Sequence, residues 1–209
     1  MGLYDSPTLV YRDVGEPRRH EIRTADEEQV LAEVHQVVGP PPKSGLNRFL
    51  SPYPDRSRIV VRADAPGGTP LFFVDRAAGR ADSALQPPCT VVAPDGRPVG
   101  GIVHDAAAFA QSFLEGRSAL PGGRSSFRQA HHVVDAHQRP LCAVAWEPVE
   151  MGGHLDRPRG GGHAIYTDPA GAELARLEGD VLHLRFRLPE PLGTLLVASP
   201  LAFLLMNEV

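Results

Sequence analysis

One unit recurs five times along this chain of 209 residues: an apolar run, a turn carrying aspartate, and a second apolar run. The copies are HEIRTADEEQVLAEV (20–34), IVVRADAPGGTPLFFV (59–74), CTVVAPDGRPVGGIV (89–103), AHHVVDAHQRPLCAVAW (130–146) and HAIYTDPAGAELARL (163–177). Asp26, Asp64, Asp95, Asp135 and Asp168 mark the reversals. An Asp carboxylate there accepts from a backbone N–H two residues on and closes the turn. Gly67, Gly68, Gly96 and Gly171 supply the positive φ that tight reversals need. Each copy therefore reads as a β-hairpin, and five hairpins predict ten strands. Two flanking runs, Thr8 to Asp13 and Val181 to Leu188, raise the expectation to twelve. In the second, Leu182, Leu184, Phe186 and Leu188 fall on one face, with Val181, His183, Arg185 and Arg187 on the other.

Strands with one apolar face must cover it, and an open sheet leaves an unpaired edge on each side. Closure into a barrel removes both problems. Local rules oppose this at one place. Thr24 followed by Glu27 is a capping-box pattern, and Val30, Leu31, Val34, Val37 and Val38 recur at helical spacing, which would put a helix at 25–38. The repeat outweighs that signal, because four other copies agree and propensity is a weak prior. A short helix is expected at 105–118, DAAAFAQSFLEGRS, and loops at 39–58 and at the glycine-rich 151–162.

Leu192 to Met206, LGTLLVASPLAFLLM, has no charged residue. A helix apolar on every side is either wrapped by protein or in a membrane. Spanning hydrocarbon takes about 20 residues, whereas this run stops at Asn207 and carries Pro200. Burial is the expectation, with Pro191 in the first helical turn and a kink or restart after Ser199. The predicted fold is thus mainly β: a closed antiparallel barrel of about twelve strands around a buried carboxyl-terminal helix at 191–206. Residues 1–209 form one domain.

The order of these parts resembles the tubby carboxyl-terminal-like superfamily, nearest to its phospholipid scramblase and LURP-one-related branch. The likeness is carried by VVAPDGRPVGGIV, VVDAHQRPLCAVAW, IYTDPAGAELARL and the closing LRFRLPEPLGTLLVASPLAFLLM, and runs from about residue 8 to 206. It implies a helix-threaded barrel that is noncatalytic, acts at a membrane surface or binds phospholipid, and uses no cofactor. A soluble protein-interaction or regulatory module with the same barrel is the alternative. Scramblases of this kind bind Ca²⁺ through an acidic stretch before the final helix. Here the corresponding GDVLHLRFRLPEP is basic between Asp180 and Glu190, too poor in carboxylates for a cation wanting six to eight oxygens.

Other chemistry is sparse. No nucleophile-elbow, phosphate-loop or zinc-protease motif occurs. The net charge of −4 argues against a nucleic-acid binder. Cys89 and Cys142 stand 53 positions apart without a metal-type spacing, in keeping with a reducing compartment. With no signal-peptide pattern at the start, the expected location is cytoplasmic, peripheral to the membrane if lipid is the partner. Arginine outnumbers lysine 20 to 1, the composition of a high-GC bacterial genome. Arg56, Arg58 and Arg62, near Phe49, Leu50 and Tyr53, form the candidate surface for an anionic phospholipid headgroup. Arg18, Arg19 and Arg23 make a second basic group, and Arg159 with Gly160 to Gly162 and His163 a candidate anion nest. The alternative polar site is His131, His132, Asp135 and His137, and a third, less favoured reading is an enzyme using His131, His132 and Asp135. On a strand His131 and Asp135 lie about 13 Å apart and His132 faces away, so these histidines are expected to be solvent-facing.

Overall fold

The computed structural model describes residues 2–15, 18–41, 57–79, 87–107, 126–127, 130–146, 149–150 and 163–207. Arg56, most of the 39–58 loop, the expected helix from residue 108 onward and the 151–162 loop with Arg159 lie outside them.

The strands are β1 (Thr8–Asp13), β2 (His20–Thr24), β3 (Val30–Val38), β4 (Ile59–Asp64), β5 (Pro70–Arg76), β6 (Cys89–Val92) and β7 (Pro98–His104). There follow β8 (Ser126–Phe127), β9 (Ala130–Asp135), β10 (Pro140–Trp146), β11 (Val149–Glu150), β12 (His163–Thr167), β13 (Glu173–Glu178) and β14 (Val181–Leu184). Among the described residues a 3₁₀ turn at Leu3–Asp5 precedes them and a helix, α1 (Leu192–Asn207), follows them. Twelve strands close into an antiparallel barrel in the order β1-β14-β13-β12-β10-β9-β7-β6-β5-β4-β3-β2, and β8 pairs with β11 apart from it. The 20–38 segment is a hairpin, with Ile22 opposite Ala32 and His20 opposite Val34.

Four of the five reversals share one hydrogen-bond pattern. In the β4–β5 turn the Ala65 N–H donates to Thr69 O and the Gly68 N–H to Ala65 O; Ala93, Asp135 and Asp168 hold the corresponding first position in the others. The residue three places on has positive φ in all five, including Glu27 at 60° and Gln138 at 63°, which manage without glycine's freedom. The aspartates are not equivalent, contrary to the sequence reading. Asp135 and Asp168 open their turns and accept backbone N–H groups of His137 and Ala170. Asp26 and Asp95 sit two places further and accept from Glu28 and Arg97. Asp64 is still in β4, one place before its turn, buried and paired with Arg62.

Strand alternation places all five turns at one end of the barrel, and the connections β3–β4, β5–β6, β7–β9 and β10–β12 at the other. An eight-stranded barrel is filled by its own side chains; twelve strands enclose a wider bore that needs further filling. Helix α1 fills it. Its 16 residues, about 24 Å at 1.5 Å each, enter from the turn end, and Leu195, Leu196, Val197, Ala198 and Ala202 are wholly buried. They meet Leu9, Ile22, Phe72, Val74, Val91, Ile102, Val133 and Tyr166 of the wall in one core. Gly100 permits the close approach: a Cβ there would lie 2.9 Å from Leu195 Cδ1 and would strike the Val134 carbonyl oxygen.

Three details differ from the sequence reading. Strand β14 stops at Leu184; Leu188 is buried, but Phe186 turns out and is 53% exposed. The period-two pattern had continued past the point where the chain must leave the sheet to reach the bore. Leu204 is 45% exposed, so the helix is not wrapped on every side near its end. Pro191 stands just outside the helix, its carbonyl accepting from Leu195, and α1 continues through Pro200 without restarting.

Candidate functional site

Why Pro200 is tolerated follows from the wall around it. Proline has no N–H, so the Leu196 carbonyl four residues earlier loses its helical partner. The Ser199 hydroxyl donates to that oxygen at 2.7 Å. Because its proton is used there, Ser199 Oγ accepts from the buried Tyr166 hydroxyl of β12, also 2.7 Å away. The next carbonyl, Val197, accepts from the Tyr11 hydroxyl of β1 at 2.6 Å. Further along, the Cys89 thiol lies 3.6 Å from Ala202 O, and the fully buried Arg76 guanidinium donates at 2.8 Å to both Leu205 O and Ser57 O. A cation at the carbonyl end of a helix also meets the negative end of its dipole. Four wall residues thus fix α1 in depth and rotation. Burial raises the Tyr11 and Tyr166 hydroxyls above the usual range and pushes the Cys89 and Cys142 thiols up to about 12, so all four groups stay neutral.

At the barrel end where α1 finishes, four rings meet. His104, last in β7, stands directly opposite His131 near the start of β9, with ring centroids 5.2 Å apart. Phe203 of α1 packs edge-on against His131 at 5.1 Å and against Trp146, last in β10, at 4.9 Å. The indole N–H of Trp146 donates to His131 Nδ1 at 3.2 Å. Burial, with smaller contributions from His104 and His132, holds the His131 imidazole down at about 3 against the opposing pull of Asp105. Burial also lowers His104. On the outer face His132 Nε2 lies 2.9 Å from Asp105 Oδ2.

This arrangement corrects the expected polar site. His131 is 2% exposed and faces the bore, where solvent exposure had been expected. His132 faces out, as its neighbour position requires, and Asp135 sits at the far end of β9 holding its turn and Arg139. His137 is exposed in that turn. The four residues do not converge. The side chains that do meet His131 are His104, Trp146 and Phe203, brought together by strand register and by helix depth. The one local signal was histidine ending the apolar run GGIVH.

The two described arginines of the candidate headgroup surface are both paired. Arg58, just before β4, forms a bidentate pair with Asp75 of β5, down to 2.6 Å, and Arg62 pairs with Asp64 at 2.9 Å, with His35 Nδ1 3.6 Å from the same carboxylate. Of the second group, Arg18 is buried and donates to Gln36 and Pro40 O, while Arg23 pairs with Glu21 at 2.6 Å. The free positive charge that a headgroup surface requires is therefore not present at Arg58 or Arg62.

Two openings lie among the described residues. A groove of about 400 Å³ runs along Ser6 to Thr8, Thr24 to Asp26, Glu28 and Gln29 on the turn end. The gap beside the helix, between Arg18, His20, Val34, Val61 and Leu204, is about 10 Å³, room for about one water. Among the described residues no three His, Cys, Asp or Glu side chains converge on a point that could hold a metal ion. No helix among them is long and apolar enough to cross a membrane. A scan against protein-family models, a search of curated proteins and a search of solved structures each found no match.

Proposed function

We propose that this chain is a noncatalytic binding barrel of the tubby-like kind, of the scramblase and LURP-one-related branch, meeting its partner on its outer surface. The observation that carries this reading is the occupied bore. A wide barrel that served as a container or a reaction chamber would keep a cavity of several hundred cubic ångströms, the usual size of a small-molecule site. Here the chain's own helix occupies the bore, its residues packed in one core with the wall, and the gap beside it at Arg18, His20 and Leu204 is about 10 Å³. The likeness to the tubby-like group is supported by the shared plan of twelve antiparallel strands closed on a carboxyl-terminal helix.

The choice of partner turns on charge. Arg58 and Arg62 are paired with Asp75 and Asp64, and the chain carries −4 overall, so an anionic leaflet would gain little Coulomb energy here. A soluble protein partner, and a cytoplasmic interaction or regulatory role, is the reading this favours. An anionic phospholipid surface is the second reading. It is supported by Leu204, Val37 and Val38, each more than 40% exposed at the barrel end where the helix finishes.

Two measurements separate these. Native mass spectrometry of the purified protein should give the mass of the chain alone; a retained small molecule would overturn the occupied-bore argument. Co-sedimentation with phosphatidylcholine vesicles, with and without one-third phosphatidylserine, should show no binding in either case. Salt-sensitive binding to the anionic vesicles would establish the second reading in place of the first.

A further inference from the structure

The ring cluster at the carboxyl-terminal end of α1 has an arrangement that the binding role does not require. Its members all stand at the ends of their elements: His104 and Trp146 close β7 and β10, and His131 is second in β9. Phe203 lies one turn before the end of α1. Strand ends and final helical turns are where local opening costs least. The middle of the helix, by contrast, is held by Tyr11 and by the Tyr166–Ser199 pair. The molecule thus has a helix centre tied to the wall by tyrosine hydroxyls, and an end that packs through two imidazoles and is tied by the bond from Arg76 to Leu205 O, which opening must break.

We propose that His131, with His104 opposite it, is an acid-operated latch: protonation releases the last turns of α1, from Phe203 to Asn207, while the barrel and the helix centre stay folded. The stereochemistry sets the sign. His131 Nδ1 accepts the Trp146 N–H and so is unprotonated in the closed state, with its proton on Nε2. A second proton at Nδ1 would face a donor and remove that hydrogen bond. It would also put a charge among the apolar rings of Phe203 and Trp146, across from His104. Among the described residues the ionisable neighbours are His104 on β7, His132 on the outer face of β9, and Asp105, which follows β7 and lies by His132. The facing residues of β10 and α1, Trp146 and Phe203, carry no charge. Of these neighbours only Asp105 favours the imidazolium, as the smallest of the named influences, so the closed state resists protonation well below the ordinary histidine value of 6.5. An opened end, with the imidazole in water, does not, and acid therefore draws the equilibrium toward it. The released turn is Phe203, Leu204, Leu205, Met206 and Asn207, four of them apolar, and Leu204 is already 45% exposed. The consequence of acid is an apolar hook at the barrel mouth.

The chain contains a single tryptophan, and it is the residue bonded to His131, so its fluorescence reports on the latch directly. Lowering the pH from 7.5 to 4.5 should change the Trp146 emission before far-UV ellipticity changes. Over the same range, amide exchange corrected for intrinsic rate should accelerate at least tenfold for Leu204 to Asn207 and stay unchanged for Leu195 to Ser199. In His131→Gln, whose side-chain oxygen can still accept the indole N–H, both responses should vanish or shift down by more than one pH unit. Should that variant fail to fold, the exchange pattern of the unmodified protein decides alone. Emission and ellipticity changing together would mean global acid unfolding and would overturn the latch. So would an unaltered response in His131→Gln, or no exchange difference down to pH 4.5.

Discussion

Proline in the middle of a buried helix normally costs about 3 kcal/mol or more, through a lost hydrogen bond and a clash with the carbonyl four residues back. In this chain the structure assigns the stranded carbonyl, Leu196 O, to the Ser199 hydroxyl, and Ser199 in turn to Tyr166. Ser199→Ala should therefore leave two buried groups unmatched, the Leu196 carbonyl and the Tyr166 hydroxyl, each worth about 1 to 3 kcal/mol. A combined loss of about 3 kcal/mol is expected, a large part of a total stability of about 5 to 15 kcal/mol. Pro200→Ala restores an N–H that can reach Leu196 O. In that background Ser199→Ala leaves only the tyrosine hydroxyl unmatched, and its cost should fall by about 1 kcal/mol or more. The four proteins of this cycle can be compared by urea denaturation followed by circular dichroism, with equal m-values as the check that the unfolded states match. Equal costs of Ser199→Ala in both backgrounds would refute the argument, because Ser199 would then not be replacing the helical bond that Pro200 removes. Tyr166→Phe should cost less than Ser199→Ala, about 0.5 to 1.5 kcal/mol, since Ser199 can still donate to the carbonyl without it.

Further outcomes follow from burial and geometry. His131 is held at about 3 when folded against 6.5 in the open chain, so its contribution is fully present above pH 6.5 and declines as pH falls from there toward 3. Linkage puts the loss at about 2 kcal/mol by pH 5, and His20 and His104, also lowered by burial, add to it in the same direction; denaturation at pH 8 and pH 5, repeated on His131→Gln, measures the share of His131. Leu196→Asp should abolish soluble expression, because its side chain is wholly buried, whereas Leu204→Asp, at 45% exposure, should express and melt within a few degrees of the parent. Gly100→Ala should destabilise by about 1 to 3 kcal/mol or prevent folding, since the added carbon meets both Leu195 and the Val134 carbonyl; a thermal melt unchanged within 2 °C would mean that the helix is not seated against β7 as closely as described.

How much of this was legible beforehand divides along the range of the interactions involved. The hairpins were readable because each is a local event. Turn chemistry lies within five residues, alternation within each strand sets its inner face, and four other concordant copies outweighed the helical pattern at 25–38. The same locality hid which residue bends the chain: Asp64 looked like Asp95 as a string, yet stands one place before its turn and pairs with Arg62. Closure and the buried helix were also legible, since twelve half-apolar strands and one uncharged apolar run leave few ways to hide their faces from water.

Neighbours across the barrel were not. Arg58 and Asp75 are 17 positions apart, and register alone turns a basic cluster into a neutral pair. His104 and His131, 27 positions apart, become direct partners because β7 pairs with β9, and Phe203 joins them only at the depth where Tyr11, Tyr166 and Arg76 hold the helix. Even the exposure of Leu204 and Phe186 depends on where the bore ends, a boundary that hydrophobicity does not record. The chain by itself determined which segments are strands and that a helix must be covered, because these follow from backbone geometry and the aversion of apolar groups to water. Which polar groups meet was decided by register and helix depth, and those are properties of the closed barrel as a whole, set only when every strand has its partner.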